Sequence, residues 1–337
     1  MCLLAPAANR VYADQAPRLA AAEWAITTGT AAAEASIAGV PYLHAAASEL
    51  DLAAVGRLSA CLALFQAGPP AGSGPLAAGR PEPTLVPVAL PDPRQGDDDL
   101  VTIPKYAGKT NEQFTRLLLN VTLSQVTAPG PATVLDPLCG RGTTLLSAWL
   151  RGLDAAGVEA DVKAVEALAA YLKTYLRRKR LKHSAAVSPV RREGRSLGKR
   201  LDVEAALPGG TRQLTVFTGD TRRSAALFGK KRFAAIVTDA PYGIVHGARD
   251  GRNAASRDRS AAQLLREAIP VWASQLAPGG ALGLSWNTLT LPRAGLAEIL
   301  AYAGLELRDD GPWRDLAHRV DSSVVRDVAV AVRPAQT

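Results

Sequence analysis

The chain has 337 residues, of which 47% are hydrophobic and 21% charged, a balance typical of a globular protein with room for two domains. Its net charge of +8 favours polyanionic partners wherever the cations cluster. The cysteines Cys2, Cys61 and Cys139 lie far apart, and none of the four histidines forms a metal-ligand pair. The sequence therefore predicts no disulfide framework, no metal, no membrane span and no signal peptide, and favours a reducing cytoplasm.

The first ninety-five residues are predicted to form a small α+β domain. The predicted elements, in order, are strand Asn9–Ala13, helix Pro17–Thr27, strands Ala33–Ile37 and Pro41–His44, helix Leu52–Phe65 and strand Thr84–Leu90. This order is that of the ferredoxin-like, split βαβ arrangement. Residues Gln66–Pro83 are rich in glycine and proline and are predicted to be a loop.

A polar linker, Pro91–Leu100, marks the predicted boundary between a domain of residues 1–95 and a domain of residues 96–337. Two roles stay open for the first domain: guiding a substrate, or packing and dimerisation. A homodimer formed through it is an open prediction.

Residues 96–337 alternate between strand and helix patterns. A loop leads into a helix that begins near Asn111 and carries Phe114, and a buried strand then runs into Asp136. The later predicted strands are Ala155–Glu159, Leu214–Thr218, Phe233–Thr238, Ala281–Trp286, Trp313–Arg319 and Val324–Val332, and the later helices are Val162–Leu181, Ala261–Gln275 and Ala294–Tyr302. The alternation predicts a mostly parallel sheet with helices on both faces, ending in a hairpin.

Acidic residues follow four successive predicted strands. They are Asp136, Glu159, Asp220 and Asp239. In open α/β sheets, ligands bind beyond the carboxyl ends of the strands, so these side chains are expected to surround one ligand. After Asp136 comes a glycine turn that opens a helix, a common way to present backbone N–H groups to a nucleotide-like ligand.

Two motifs resemble those of class I S-adenosylmethionine-dependent methyltransferases. The turn D-P-L-C-G-R-G (136–142), with an acid at the next strand end, resembles their cofactor site, and D-A-P-Y-G (239–243) resembles the [D/N/S]-P-P-[Y/F] motif of their amino-methylating members. The whole pattern is similar to the tRNA guanosine 2-amino methyltransferases and their THUMP-containing relatives over residues 100–333. The stretches K-Y-A-G-K-T-N-E-Q-F (105–114), G-V-E-A-D (157–161) and H-R-V-D-S-S-V-V-R-D (318–327) extend it.

The resemblance implies a class I methyltransferase, Rossmann-like sheet and S-adenosylmethionine as cofactor. In this reading Asp136 meets the amino group of the cofactor, Glu159 accepts from both ribose hydroxyls, and Asp220 accepts from the adenine amine. The implied cofactor-binding residues are Phe114, Asp136, Leu138, Cys139, Gly140, Gly142, Thr143, Glu159, Ala160, Gly219, Asp220, Thr221 and Asp239.

The motif at 239–243 is expected to carry the chemistry through Asp239, Ala240, Pro241 and Tyr242. An exocyclic amine of a base is a poor nucleophile, because its lone pair is delocalised into the ring. The Asp239 carboxylate and the Ala240 carbonyl are expected to accept its two N–H groups and to stabilise the charge that develops on nitrogen. Ala240 stands where the family has proline, and we expect activity to survive this change. The implied substrate-binding residues are Tyr242, Gly243, His246 and Arg249.

Two basic segments are predicted to contact RNA phosphates. Lys173–Arg200 contains eleven lysines or arginines and one acid, and is expected to continue a helix and then form a loop; Ala248–Arg259 follows the motif that holds Tyr242. The sequence thus predicts an N-methyltransferase acting on a nucleobase amine in structured RNA, with guanosine in tRNA as the favoured acceptor. Two alternatives stay open: a DNA base, protein amide or small-molecule amine as acceptor, and a non-catalytic RNA-binding protein.

Overall fold

A computed structural model describes residues 1–7, 10–46, 49–70, 83–92, 95–106, 108–130, 132–192, 195–241 and 254–335. The chain divides into two compact units. The first comprises Met1–Pro93 with Asp310–His318, and the second comprises Arg94–Asp309 with Arg319–Thr337. Residues 310–318, which the sequence assigned to the second domain, thus belong to the first unit. They are held there by the Arg18 guanidinium, which donates to the carbonyls of Asp315 and Ala317.

The first unit is an antiparallel sheet with helices packed on it. Its elements are β1 (Cys2–Leu4), α1 (Arg10–Ala13), α2 (Ala16–Thr28), β2 (Ala33–Ile37), β3 (Val40–His44), α3 (Leu52–Arg57), β4 (Cys61–Pro70) and β5 (Pro83–Val88). The strands lie in the order β2-β3-β1-β4-β5. Without the short α1, the succession from β1 to β4 is that of the split βαβ arrangement, and β5 extends the sheet. Trp24 of α2 and Val55 of α3 pack on Leu43 and Leu64 to form the core.

Two predicted elements of this unit are wrong. The strand predicted at Asn9–Ala13 is the short helix α1 over its described residues, and the first strand is instead Cys2–Leu4, which lies between β3 and β4. The helix predicted at Leu52–Phe65 ends at Arg57, and a strand begins at Cys61. The part of the predicted loop from Gln66 to Pro70 belongs to that strand, and residues 71–82 lie outside the described chain.

A buried carboxylate explains why the helix ends early. Glu23 of α2 is fully buried, and it accepts hydrogen bonds from the Ser59 N–H at 3.0 and 3.1 Å and from the Ser59 hydroxyl at 2.5 Å. A helix continuing through Ser59 would use this N–H for its own backbone ladder. The tertiary contact therefore overrides the helical spacing of the apolar residues.

The second unit carries most of the strands and helices. Its elements are α4 (Asp99–Thr102), α5 (Glu112–Leu123), β6 (Thr133–Asp136), α6 (Thr143–Leu150), β7 (Asp154–Glu159), α7 (Val162–Arg178), β8 (His183–Arg192), β9 (Arg195–Leu207), β10 (Gly210–Thr218), α8 (Ser224–Phe228), β11 (Phe233–Asp239), α9 (Ala254–Gln275), β12 (Leu276–Asn287), α10 (Arg293–Tyr302), β13 (Glu306–Arg308), β14 (His318–Arg319, which begins in the first unit) and β15 (Val325–Val332). The strands follow the order β13-β15-β12-β11-β6-β7-β10-β9-β8.

The centre of this sheet is parallel and its margins are antiparallel. β10, β7, β6, β11 and β12 run parallel, whereas β15 pairs antiparallel with β12 and β13 pairs antiparallel with β15. This arrangement confirms the predicted α/β fold class, a Rossmann-like sheet with antiparallel strands at its C-terminal end. The carboxyl ends of β6, β7, β10 and β11 consequently share one edge.

The basic segment after α7 was predicted wrongly. α7 ends at Arg178 because Arg180 adopts a left-handed conformation (φ 55°), and the Leu181 N–H then bonds back to the Leu176 carbonyl, the pattern of a helix C-terminus. The described residues of the segment predicted as a loop belong to β8 and β9, which pair with each other, and β9 also pairs with β10. Pro189 fits within β8 because this is an edge strand, where a missing N–H costs no ladder bond.

The predicted strand Trp313–Arg319 is also largely wrong. Residues Gly311–Arg314 form a 3₁₀ turn, and only His318–Arg319 are extended. The strand that completes the antiparallel end of the sheet is instead Glu306–Arg308. Among the described residues, no helix combines the length and the apolar character needed to cross a membrane.

Candidate functional site

The ends of four strands are joined by hydrogen bonds at one edge of the parallel sheet. The Cys139 N–H after β6 donates to the Val158 carbonyl of β7 at 3.0 Å, and the Gly219 N–H after β10 donates to the Glu159 carbonyl at 2.9 Å. The Thr238 hydroxyl of β11 donates to the Asp136 carboxylate of β6 at 2.8 Å. The residues predicted to surround one ligand are therefore brought together.

The turn after Asp136 depends on its glycines. Gly140 and Gly142 have φ angles of 51° and 86°, in the left-handed region that glycine adopts without strain. Apart from Gly140 and its two chain neighbours, no heavy atom of the described residues lies within 4 Å of the position that a Cβ on Gly140 would take, so the backbone there faces open space within the described part of the chain. The helix α6 begins at Thr143, directly after the turn, and its first N–H groups belong to this edge.

A third glycine, Gly157 in β7, leaves room for the side chains of the turn and of α6. A Cβ on Gly157 would lie 2.8 Å from the Cys139 sulfur and 3.0 Å from a methyl group of Leu145. The absence of a side chain at Gly157 thus lets Cys139 pack inward. Burial raises the pKa of the Cys139 thiol, which keeps its proton and serves as a packing residue.

Asp136 is a buried carboxyl group at the centre of the site. It is only 3% exposed, and it accepts from the Leu138 N–H at 3.1 Å as well as from Thr238. Burial raises the pKa of Asp136 to about 7, against the stabilising effect of these donors. The group is thus poised to ionise when a cation arrives beside it.

The raised pKa predicts that Asp136 makes the fold less stable as pH rises. Between the ordinary carboxyl pKa and about 7, the folded state binds a proton that the unfolded chain has lost, so the free energy of unfolding falls with pH in this window. The Asp136→Asn variant keeps the size and one acceptor but cannot ionise. We expect urea titrations from pH 4 to 8 to show the wild type losing stability relative to this variant, on the order of 4 kcal/mol for three pKa units. Parallel pH profiles would contradict the assignment.

Glu159 joins the glycine turn to the start of α7 through its two carboxylate oxygens. Its Oε2 accepts from the Gly140 N–H at 2.8 Å and its Oε1 accepts from the Asp161 N–H at 2.7 Å. Asp161 in turn accepts from the Lys163 N–H and caps α7. The Glu159 carboxylate is half-buried at the strand end, so its position is set by the backbone on both sides.

Asp220 is engaged in a surface ion-pair network. Its carboxylate accepts from the Arg222 N–H and from the Arg222 guanidinium, which also contacts Glu267 at 2.8 Å. The Arg222 guanidinium holds the pKa of Asp220 below its usual range. The neighbouring Thr221 is buried, and its hydroxyl accepts from the Trp272 indole at 2.9 Å. A role in adenine binding would require Asp220 to share its oxygens with Arg222.

Asp239 lies in a polar cluster that links three segments of the second unit. The Thr110 hydroxyl donates to Oδ2 at 2.8 Å, the Ser285 hydroxyl donates to Oδ1 at 2.5 Å, and the Arg326 guanidinium lies 3.6 Å from Oδ2. Phe114 is fully buried, and its ring centroid lies 4.4 Å beneath the Arg326 guanidinium carbon. Phe114, predicted as a cofactor residue, therefore supports the arginine beside Asp239.

The other predicted residues differ in their surroundings. Leu138 packs against the apolar core, Ala160 is exposed, and the Ala240 N–H donates to the Ser285 carbonyl at 2.8 Å. Pro241 is exposed at the end of the described segment. The predicted substrate residues lie outside the described chain; they are Tyr242, Gly243, His246 and Arg249.

Sequence reasoning assigned no role to several residues of the site. Tyr106 covers the start of α6: its hydroxyl lies 2.9 Å from the Thr143 hydroxyl, and the Arg141 guanidinium carbon lies 4.8 Å from its ring centroid. Thr110, Ser285 and Arg326 contact Asp239. Tyr106 and Thr110 lie in the stretch 105–114 and Arg326 in the stretch 318–327, both of which carry the family resemblance, whereas nothing in the sequence marks Ser285.

No protein-family model and no curated protein sequence matches the chain. Solved structures that it resembles include TrmN from Thermus thermophilus, at 18% identity and a TM-score of 0.42 over 75% of this chain and 57% of that one. They also include the rRNA methyltransferase aviRa from Streptomyces viridochromogenes, at 17% identity and 0.40 over 71% and 91%. A TehB-like SAM-dependent methyltransferase from Corynebacterium glutamicum gives 17% and 0.39 over 68% and 91%.

Likenesses at this level leave the reaction and the substrate to be argued from the residues of this chain. Among the described residues, no group of three or more histidine, cysteine, aspartate or glutamate side chains has the geometry to hold a metal ion.

Proposed function

We propose that the chain is an S-adenosylmethionine-dependent N-methyltransferase that acts on an exocyclic amine of a nucleobase in structured RNA, with guanosine in tRNA as the favoured acceptor. The observation that carries the proposal is the meeting of a glycine turn, a strand-end glutamate and the Asp239 cluster at one edge of a parallel sheet. This edge is where open α/β sheets bind their ligands.

The residues of the turn fit the proposed cofactor. The open space beside Gly140 allows close approach to the backbone, and the N-terminus of α6 favours a carboxylate. Asp136 offers a buried acceptor for an amino group, and Glu159 offers carboxylate oxygens for hydroxyl groups of a ribose. When bound, S-adenosylmethionine supplies an electrophilic methyl group on a sulfonium.

Asp239 is proposed to orient the amine that receives the methyl group. An amine conjugated with an aromatic ring becomes nucleophilic only when its nitrogen pyramidalises and its lone pair is no longer delocalised into the ring, and two fixed acceptors of its N–H groups favour that geometry. Thr110, Ser285 and Arg326 hold the Asp239 carboxylate in place before the substrate binds. The same carboxylate then stabilises the positive charge that grows on nitrogen, without reorganising.

The basic surface near the end of α7 supports a polyanionic substrate. Lys173, Arg177, Arg178, Arg180 and Lys182 are all exposed. By contrast, Lys179 of the same run is paired with acidic side chains, at 2.7 Å from Asp97 and 2.6 Å from Asp99. Lys173, Arg177 and Arg178 lie on the last part of α7, and Arg180 and Lys182 follow the helix, so the exposed cations can reach more than one phosphate of a nucleic acid backbone.

Transfer of a radiolabelled methyl group from S-adenosylmethionine into separate tRNA, ribosomal RNA, DNA, protein and small-amine fractions tests the proposal. We expect label in an RNA fraction, on the exocyclic nitrogen of a guanosine after nuclease digestion. RNA binding should weaken steeply as salt rises. Label confined to DNA, protein or small amines would overturn the RNA assignment while keeping the methyltransferase.

Calorimetry with S-adenosylmethionine separates the enzyme from a binding protein that only shares its fold. We expect the wild type to bind the cofactor. The Gly140→Val variant, whose side chain fills the open space beside the turn, should lose this affinity. A folded chain that binds RNA but shows no heat with the cofactor would overturn the enzymatic proposal.

A further inference from the structure

Two cysteines that are distant in sequence meet in the first unit. Cys2 lies in β1 and Cys61 is the first residue of the neighbouring antiparallel strand β4. Cys61 stands opposite Leu4, which shares a sheet face with Cys2 because side chains alternate along a strand. The two sulfur atoms are 3.1 Å apart. The fold thus brings together a pair that sequence spacing did not predict.

The two thiols are chemically unequal. Cys2 is only 1% exposed, whereas Cys61 is half-buried and so reachable from solvent. The Cys2 thiol donates its hydrogen toward the Cys61 sulfur, and this contact lowers the pKa of Cys61 and, together with burial, raises the pKa of Cys2. Cys61 is therefore the better thiolate, and Cys2 is a sheltered second thiol beside it.

We propose that Cys2 and Cys61 form a thiol–disulfide switch in the first unit, oxidised by a low-molecular-weight disulfide. The Cys61 thiolate attacks one sulfur of that disulfide, forms a mixed disulfide and releases one thiolate. Cys2 then loses its proton and attacks the Cys61 sulfur, which forms the Cys2–Cys61 bond and releases the second small thiol. Two protein thiols are oxidised and one small disulfide is reduced to two thiols.

The contact geometry favours the second step. A disulfide bond has a sulfur–sulfur distance of about 2.0 Å, so the two atoms need to approach by roughly 1 Å. Cys139 cannot compete for the mixed disulfide, because it is buried in the glycine turn of the other unit. Since Cys2 and Cys61 are 59 positions apart, their bond closes a long loop and restricts the unfolded chain.

The test uses the full-length protein in buffers of reduced and oxidised glutathione at a series of ratios. After acid quenching, we expect the intact mass to fall by two hydrogen atoms, the titratable thiols under denaturing conditions to drop from three to one, and a peptide containing residue 2 to be linked to one containing residue 61. The thermal midpoint of the first unit should rise by several degrees on oxidation.

Two serine variants report the order of the steps. Cys2→Ser should stop at the mixed disulfide and gain the mass of one glutathionyl group on residue 61. Cys61→Ser should stay unmodified, because Cys2 is sheltered. A wild-type protein that keeps all three thiols at every ratio, or that accumulates glutathionyl-Cys61 without the cross-link, would overturn the proposal whether or not the variants fold.

Discussion

Replacing Asp239 with asparagine should lower kcat by about 10²–10⁴-fold and leave the affinity for S-adenosylmethionine nearly unchanged. The amide keeps the size of the side chain, and the hydroxyls of Thr110 and Ser285 can rotate to donate or accept, so the local fold is expected to survive. What is lost is the negative charge opposite the amine. The loss should appear in the transition state, where positive charge has developed on nitrogen, more than in the ground state.

A graded series separates this role from a structural one. Thr110→Val removes one hydroxyl that positions Asp239 and leaves the carboxylate, so kcat should fall by less than in Asp239→Asn. Glu166→Gln neutralises an exposed carboxylate that pairs with Lys199 at the surface, and should leave kcat at the wild-type level. Single-turnover rates and cofactor titrations provide the measurements. Equal losses of cofactor affinity and of kcat in Asp239→Asn would contradict an acceptor-orienting role.

The sequence could predict that the strand ends meet, because the topology of a parallel sheet determines where its strands end. Once strands and helices alternate, parallel strands place their carboxyl ends at one edge, and any acid that follows a strand arrives there. Asp136, Glu159 and Asp239 needed only the hydrophobic pattern around them to be located. The glycine turn could also be predicted from the sequence. Gly140 and Gly142 have positive φ angles, which few other residues adopt without strain, so the two glycines indicate the turn.

The contacts around Asp239 could not be predicted in the same way. Ser285 and Arg326 come from β12 and β15, and only the pairing of β12 with β11 and of β15 with β12 brings their side chains to the carboxylate. An arginine stacked on the buried ring of Phe114 has no local sequence signature. The same limit applies to Glu23, whose bonds to Ser59 end a helix from a distance of 36 positions in sequence.

The strand pair β8–β9 was missed for a different reason. Leu201, Val203, Ala205 and Leu207 alternate with polar or exposed residues and are buried, which is the period of a half-buried strand. The density of arginine and lysine before them favoured a solvated loop, although an edge strand tolerates both charge and proline. The alternation of apolar and polar residues in β9 correctly indicated a strand, but the many lysines and arginines before it favoured a loop.

Replacing Glu159 should weaken cofactor binding, and glutamine should be almost as harmful as alanine. Both carboxylate oxygens accept backbone N–H groups, one from Gly140 and one from Asp161. The amide introduced by Glu159→Gln has one acceptor oxygen, so in either orientation its NH₂ group would face one of these N–H donors. Leaving such a donor unsatisfied costs about 1–3 kcal/mol while the turn holds its binding geometry, so we expect the free turn to relax, and restoring the geometry on binding would lower affinity by up to roughly 5- to 150-fold.

The comparison with Asp161 makes this prediction specific to the glycine turn. Asp161→Asn keeps an acceptor for the Lys163 N–H, and asparagine is as good a helix cap as aspartate, so cofactor affinity should change little. Calorimetric titrations of Glu159→Gln, Glu159→Ala and Asp161→Asn decide the matter. Wild-type affinity in Glu159→Gln would mean that the turn holds its shape without the carboxylate, and a large loss in Asp161→Asn would move the ribose contact there. The expected result is that both Glu159 variants lose affinity alike. This result would mean that the carboxylate acts by fixing the backbone of Gly140, so that the turn has its binding geometry before the cofactor binds.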